Sequence, residues 1–303
     1  MHIQKYALFS LICLSNYADY QLPNSEDQIS YVFSHGLIDN HGQAFPYLFS
    51  QPEKPYILNY PLITFDYPHA STGVLKINRL QSSLAQDNEI ERLAQVSSSY
   101  LKDKKNVLVG VSCGASTIIN FVGRYNPSNV LALVLESPFD CVENIAKSLI
   151  HRCKMHWIPG LSTKSSGITA FLFCKYNPKG IRPIESIEKI EGDKPILIVC
   201  CVPDMVVPVW SSINLYISRY NQGNKNTYLL VFPEGKHAKL ITDPVYGTIY
   251  QCVTHAFYQK FGLPHDEAAA QKGKPLLHYC QPHPEALATF YPKYSLPAAL
   301  NPG

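Results

Sequence analysis

The sequence predicts an α/β architecture: a mostly parallel twisted sheet with helices on both faces and a small helical lid insertion. Three observations predict it. Short runs such as Val130–Glu136 and Lys194–Val202 are apolar at consecutive positions, as strands buried on both faces are, whereas a half-exposed sheet would alternate. Segments with apolar residues at helical spacing separate those runs. One strand candidate passes directly into a glycine-flanked turn, Gly110-Val111-Ser112-Cys113-Gly114, ahead of another helical stretch.

In chain order, residues 1–18 set Lys5 before a short apolar run, Tyr6–Leu14, and a small residue at Ala18. That order is expected of a secretory signal peptide, and the run is too short to cross a membrane as a helix. A secreted or periplasmic protein with no stable membrane span follows; the alternative is a first strand in a cytoplasmic protein. The main domain is expected over residues 19–262. Its strands are read at "QISYVFS" from Gln28, "PLITFD" from Pro61, "NVLVGV" from Asn106, "VLALVLE" from Val130, "KPILIVCCV" from Lys194 and "TYLLVF" from Thr227.

The intervening helices each carry an apolar stripe. Glu89–Tyr100 aligns Ile90, Leu93, Val96 and Tyr100; Trp210–Tyr220 aligns Ile213, Ile217 and Tyr220. Asp243 followed by Pro244 provides a cap and a first-turn proline for a helix through Tyr246, Ile249, Val253 and Phe257. Residues 141–191 break the rhythm, with Trp157, Phe171, Phe173 and Tyr176 among Lys, Ser and Pro. They are expected to form a lid at the ligand end of the sheet. From Leu263 the prolines at 264, 275, 282, 284, 292, 297 and 302 predict an irregular Pro-rich tail over residues 263–303.

Composition narrows the function. With 303 residues, 46% of them hydrophobic, the chain can bury one large core. Its net charge of +3 comes without a basic block, so no nucleic-acid partner is expected. Nine cysteines occur, none in a Cys-x-x-Cys or His-Cys spacing that would suggest zinc. Cys200 and Cys201 are adjacent within a strand, so their side chains point to opposite faces. Most of the cysteines read as small buried hydrophobes.

The Ser112 turn is where chemistry is expected. A strand that turns sharply into a helix needs small residues at Gly110 and Gly114 and lifts the serine hydroxyl clear of the sheet. The helix beyond it has Ala115, Ile118, Ile119 and Val122 on its buried side. The Cys113 N–H, at the first helical turn, would face an oxyanion formed on attack. A serine hydroxyl is a weak nucleophile and needs a base oriented by an acid. Asp204 follows "ILIVCCVP" and His237 follows "YLLVFPEGK", each just past a strand, in the order Ser, Asp, His. Strand-end loops on one edge of a parallel sheet converge, so the three can meet. Asp193 and Glu234 are fallback acids that read better as solvated loop charges. Asp66 and Asp140 follow the wrong strands and read as loop hydrogen-bonding groups. His255 falls within a helix.

With this order of elements the chain resembles the α/β-hydrolase fold serine hydrolases, over roughly residues 28–261. The segments "VLESPFDCVENIAKSL", "IESIEKIEGDKPILIVCCVPDMVVP" and "FPEGKHAKL" look closest to the Bem46-like and ABHD17-like branch that borders the prolyl-oligopeptidase group. The resemblance implies a nucleophile at Ser112, an acid at Asp204 and a base at His237. It also matches His35-Gly36-Leu37 to the family's oxyanion loop, making Leu37 the second backbone donor beside Cys113. The strand from Gln28 corresponds to the family's third, so the sheet is expected to be shorter at that edge. Tyr67-Pro68-His69 stands where the family often has an arginine-glycine turn.

The function expected is cleavage of ester or thioester bonds of a small-molecule acyl substrate or lipid through an acyl-enzyme, with no cofactor and no metal. The alternatives are a peptidase of the prolyl-oligopeptidase type and a non-catalytic binding protein on the same fold.

Overall fold

A computed structural model of the chain describes residues 20–21, 29–48, 62–70, 82–101, 104–152 and 175–290. The expected signal segment, and Trp157, Phe171 and Phe173 of the insertion, lie outside the described residues, as do residues 291–303.

Seven strands form one sheet: β1 (Tyr20–Gln21), β2 (Ser30–Ser34), β3 (Leu62–Thr64), β4 (Asn106–Val111), β5 (Val130–Glu136), β6 (Ile196–Cys201) and β7 (Thr227–Phe232). Their spatial order is β1-β3-β2-β4-β5-β6-β7, parallel throughout except for the β1–β3 pair. The two-residue β1 therefore adds a short antiparallel edge upstream of the strand from Gln28. Registers pair Ser34 with Gly110, Val111 with Glu136, Glu136 with Val199 and Cys201 with Phe232. The carboxyl ends of β2, β4, β5, β6 and β7 thus form one rim, where loops from distant parts of the chain converge.

Both sheet faces are covered. One apolar layer joins Val32, Leu108, Leu133, Ile198 and Cys200 to helices α2 (Asp87–Tyr100), α3 (Cys113–Tyr125) and α6 (Val209–Asn221). The other joins Phe33, Val109, Val134, Val199 and Cys201 to α1 (Phe45–Leu48), α7 (Tyr246–Lys260) and α8 (Glu267–His278). Cys200 and Cys201 fall on opposite faces, as strand geometry requires, and the six described cysteines are free thiols. The α3 helix departs from the one-sided stripe expected of it: every residue from Cys113 to Gly123 is buried, because α2 and the short α5 (Pro183–Ile187) pack on its outer side. In the insertion, α4 (Val142–Arg152) and α5 flank the undescribed segment.

The tail needs correcting. Most of residues 263–290 is helical, in α8 and α9 (Pro284–Phe290), with short non-helical stretches before and between them. Asp266 caps α8 by accepting the Ala269 N–H at 2.8 Å, while Ala269, Ala270 and Leu277 bury its inner face. Pro275 lies on the exposed side of α8, and Pro284 occupies the first position of α9, where its missing N–H costs nothing. Gly273 lets α8 ride on the α7 backbone: a Cβ there would overlap the Cys252 carbonyl. The Cys280 carbonyl then accepts the Leu229 N–H at 2.6 Å, covering part of the outer edge of β7.

Candidate active site

The strand β4 ends at Val111 and α3 begins at Cys113, so Ser112 makes the whole turn alone, at φ +54° and ψ −119°. A non-glycine residue held there stores about 1–3 kcal/mol of strain, which the surrounding packing must offset. The two glycines make the packing possible. A Cβ on Gly110 would lie 2.6 Å from Ile118 Cδ1, and one on Gly114 would lie 2.5 Å from the His35 carbonyl and closer still to that of Ser34. The Ser112 hydroxyl is thereby presented at the rim.

The structure brings the three predicted residues together. His237 Nε2 stands 2.9 Å from Ser112 Oγ, and His237 Nδ1 stands 2.8 Å from Asp204 Oδ2. Asp204 is buried and its oxygens are fully engaged: Oδ1 accepts the N–H groups of Val206 and Val207 at 2.8 and 2.9 Å, and Oδ2 also accepts the Ser137 hydroxyl at 3.0 Å. Because Oδ2 is an acceptor, Nδ1 of His237 must donate. In a neutral imidazole, Nε2 is then left as the acceptor for the serine hydroxyl.

The loop after β2 passes beside this pair. A Cβ on Gly36 would lie 3.7 Å from Ser112 Cβ, and the Gly36 N–H is fixed by Gln43 Oε1 at 2.7 Å. Leu37 packs in one apolar cluster with Cys113, Ala85, Phe139, Val142, Tyr176 and Val207, which forms a wall next to the serine. Tyr176 is the described aromatic of the insertion; its hydroxyl donates to Glu143 Oε1 at 2.8 Å.

His35, wholly buried, braces the same loop. Its Nδ1 donates to the Gly36 carbonyl at 2.7 Å and its Nε2 accepts the Tyr67 N–H at 3.1 Å. Both bonds require the neutral ring, and burial pushes His35 down to about 4. The chain's departure at Tyr67-Pro68-His69 therefore supports the loop instead of disturbing it.

The remaining carboxylates fall where expected. Asp193 and Glu234 are exposed. Asp66 accepts the backbone N–H and Nδ1 of His41 at 2.7 and 2.8 Å. Asp140 gathers Ser211, Asn214 and Asn144 at 2.6, 2.9 and 2.8 Å, tying α4 and α6 to the end of β5. Sequence reasoning missed Glu136 and Ser137, which close β5 beneath the rim; a Glu-Ser pair ending an apolar run carries no sign of being buried. Among the described residues no cluster of His, Cys, Asp and Glu could hold a metal ion, and no helix is long and apolar enough to cross a membrane.

No family model matches the sequence. An uncharacterized protein of Escherichia coli, YfhR, is 24% identical over 220 residues, 73% of this chain, and the chain spans 66% of that relative's length. An esterase from Pyrococcus furiosus superposes with a TM-score of 0.56 at 15% identity, covering 81% of this chain and 86% of its own. An acylaminoacyl peptidase from Pyrococcus horikoshii gives 0.56 at 14% identity, over 86% of this chain and 41% of its own. This likeness, together with the sheet order above, establishes the α/β-hydrolase fold.

Proposed function

We propose that the chain is a serine hydrolase that cleaves ester or thioester bonds of a small-molecule acyl substrate or lipid. The observation that carries this reading is the continuous relay from Asp204 through His237 to Ser112, at 2.8 and 2.9 Å. In the reaction, Ser112 Oγ attacks the acyl carbon while its proton passes to His237 Nε2. Charge that develops on the carbonyl oxygen is met by the N–H groups of Leu37 and Cys113. The protonated imidazole, stabilised by Asp204, gives its proton to the departing alcohol or thiol. A water then enters, loses a proton to His237 and attacks the acyl-serine, which releases the acid and restores the hydroxyl. Every proton that leaves one group arrives on another, His237 returning the water's proton to Ser112 Oγ, and the cycle as proposed calls on no cofactor or metal. Kinship with the Bem46-like and ABHD17-like branch rests on the quoted segments alone.

Turnover of a series of p-nitrophenyl esters of increasing acyl length, beside matched peptide amides, tests the proposal. The native protein is expected to hydrolyse the esters and Ser112→Ala to lose that activity. Cleavage of the amides without the esters would replace the esterase with a peptidase using the same relay. Silence across the whole series would leave a non-catalytic binding protein.

A further inference from the structure

Glu136, the last residue of β5, and Ser137 after it bond to two members of the relay and to the loop that carries the third. The Glu136 carbonyl accepts the Ser112 N–H at 2.8 Å. Ser137, held at φ +48°, donates its hydroxyl to Asp204 Oδ2. The Glu136 side chain, wholly buried, reaches the third member's loop: Oε1 accepts the N–H of Leu240, three residues past His237, at 3.2 Å, while Oε2 accepts the Tyr47 hydroxyl at 2.7 Å.

The His237 loop is held mainly by short-range turns. Gly235 sits at φ +134° and Ala238 at φ +56°, and the Lys239 and Thr242 N–H groups close onto Lys236 and Lys239. The buried Leu240 side chain and the Glu136 carboxyl tie this loop to the sheet. An apolar side chain would fill the Glu136 site at lower cost, because a buried carboxyl without a cation is destabilising unless its hydrogen bonds compensate. Among the described residues no lysine or arginine pairs with Glu136. The titratable groups around it are Tyr47 from α1, Tyr250 from α7, Cys201 from β6, and Asp204 and His237. Burial pushes its carboxyl up to about 7.

We propose that Glu136 is a positioning residue: by pinning the Leu240 N–H to the end of β5, it holds the His237 imidazole within bonding distance of Ser112. This inference rests on the relay being catalytic.

The test compares kcat and KM for a p-nitrophenyl ester, the rate of labelling by a fluorophosphonate, and melting temperature in native protein and four variants. Glu136→Ala removes the acceptor. Glu136→Asp keeps the charge but withdraws it by one methylene, and serves if the alanine variant does not fold. Glu136→Gln keeps an acceptor oxygen for Leu240, and Ser112→Ala controls the catalytic reading. Loss of the anchor should lower kcat about 10- to 100-fold in the alanine and aspartate variants with KM nearly unchanged. The glutamine variant should stay within about threefold of native, since the acceptor survives. A folded alanine or aspartate variant with native kcat overturns the proposal, and so does a glutamine variant as slow as the aspartate one. If Ser112→Ala labels as fast as native protein, the catalytic reading itself fails; if labelling depends on Ser112 yet ignores Glu136, only the positioning role fails.

Discussion

Asp204 and His237 meet through a single oxygen. Oδ2 takes the Nδ1 proton at 2.8 Å, while Oδ1 is occupied by the N–H groups of Val206 and Val207. The carboxyl group cannot rotate without losing two backbone bonds, so it fixes both the ring's orientation and its tautomer. Asp204→Asn would keep the shape and lose that instruction, because an amide NH2 facing Nδ1 favours the ring form with its proton on Nε2. We expect kcat to fall on the order of 10³–10⁴-fold with little change in melting temperature. A fall in stability matching the fall in rate would instead make Asp204 structural.

Gly114 sets how closely α3 approaches β2. Any Cβ there overlaps the Ser34 and His35 carbonyl oxygens, which belong to backbone that cannot swing aside. Gly114→Ala should destabilise the fold by about 3 kcal/mol or more, measured by urea denaturation. Gly192→Ala is the control, its nearest neighbour being Asn224 Nδ2 at 4.0 Å, and should leave the midpoint unchanged.

Gly273 plays the same part between α7 and α8. Gly273→Ala should push α8 off the Cys252 carbonyl and lower stability by about 2–3 kcal/mol in the same denaturation experiment. A neutral substitution would mean that α8 does not dock on α7.

Glu136 gives stability a pH dependence of definite sign. Its carboxyl, ordinarily near 4.5, is pushed up to about 7 by burial. Below about 4.5 the group is protonated whether the chain is folded or not. As pH rises towards 7 only the unfolded chain releases the proton, so the stability present at low pH is lost across that window. Glu136→Gln has no such loss. Its stability relative to native protein should therefore rise between pH 5 and pH 8, by about 3 kcal/mol at most, in melts across that range. A constant difference would contradict a carboxyl whose burial outweighs its hydrogen bonds from Tyr47 and Leu240.

The features legible in the sequence are those with local causes. Strands buried on both faces leave runs such as Ile196–Cys201, and a hydroxyl lifted on a tight bend leaves Gly110 and Gly114 around Ser112. Asp204 and His237 could be found because parallel strands deliver their following loops to one rim. The C-terminal helices were hidden by their prolines: Pro284 starts a helix instead of breaking one, and Pro275 faces solvent on a helix stabilised by the Asp266 cap and by docking on α7. Glu136 was illegible for a different reason. Its burial comes from Tyr47, about ninety residues before it in the chain, and from Leu240 and Tyr250, more than a hundred residues after it.

The central claim is that Ser112 is a nucleophile activated by His237. Intact-mass measurement after exposure to a fluorophosphonate tests it most directly, because the reagent adds one phosphonyl group to an activated serine. Native protein should gain one adduct, mapped to the peptide containing Ser112, while Ser112→Ala and His237→Ala gain none on that timescale. Equal labelling of native protein and Ser112→Ala would contradict the account.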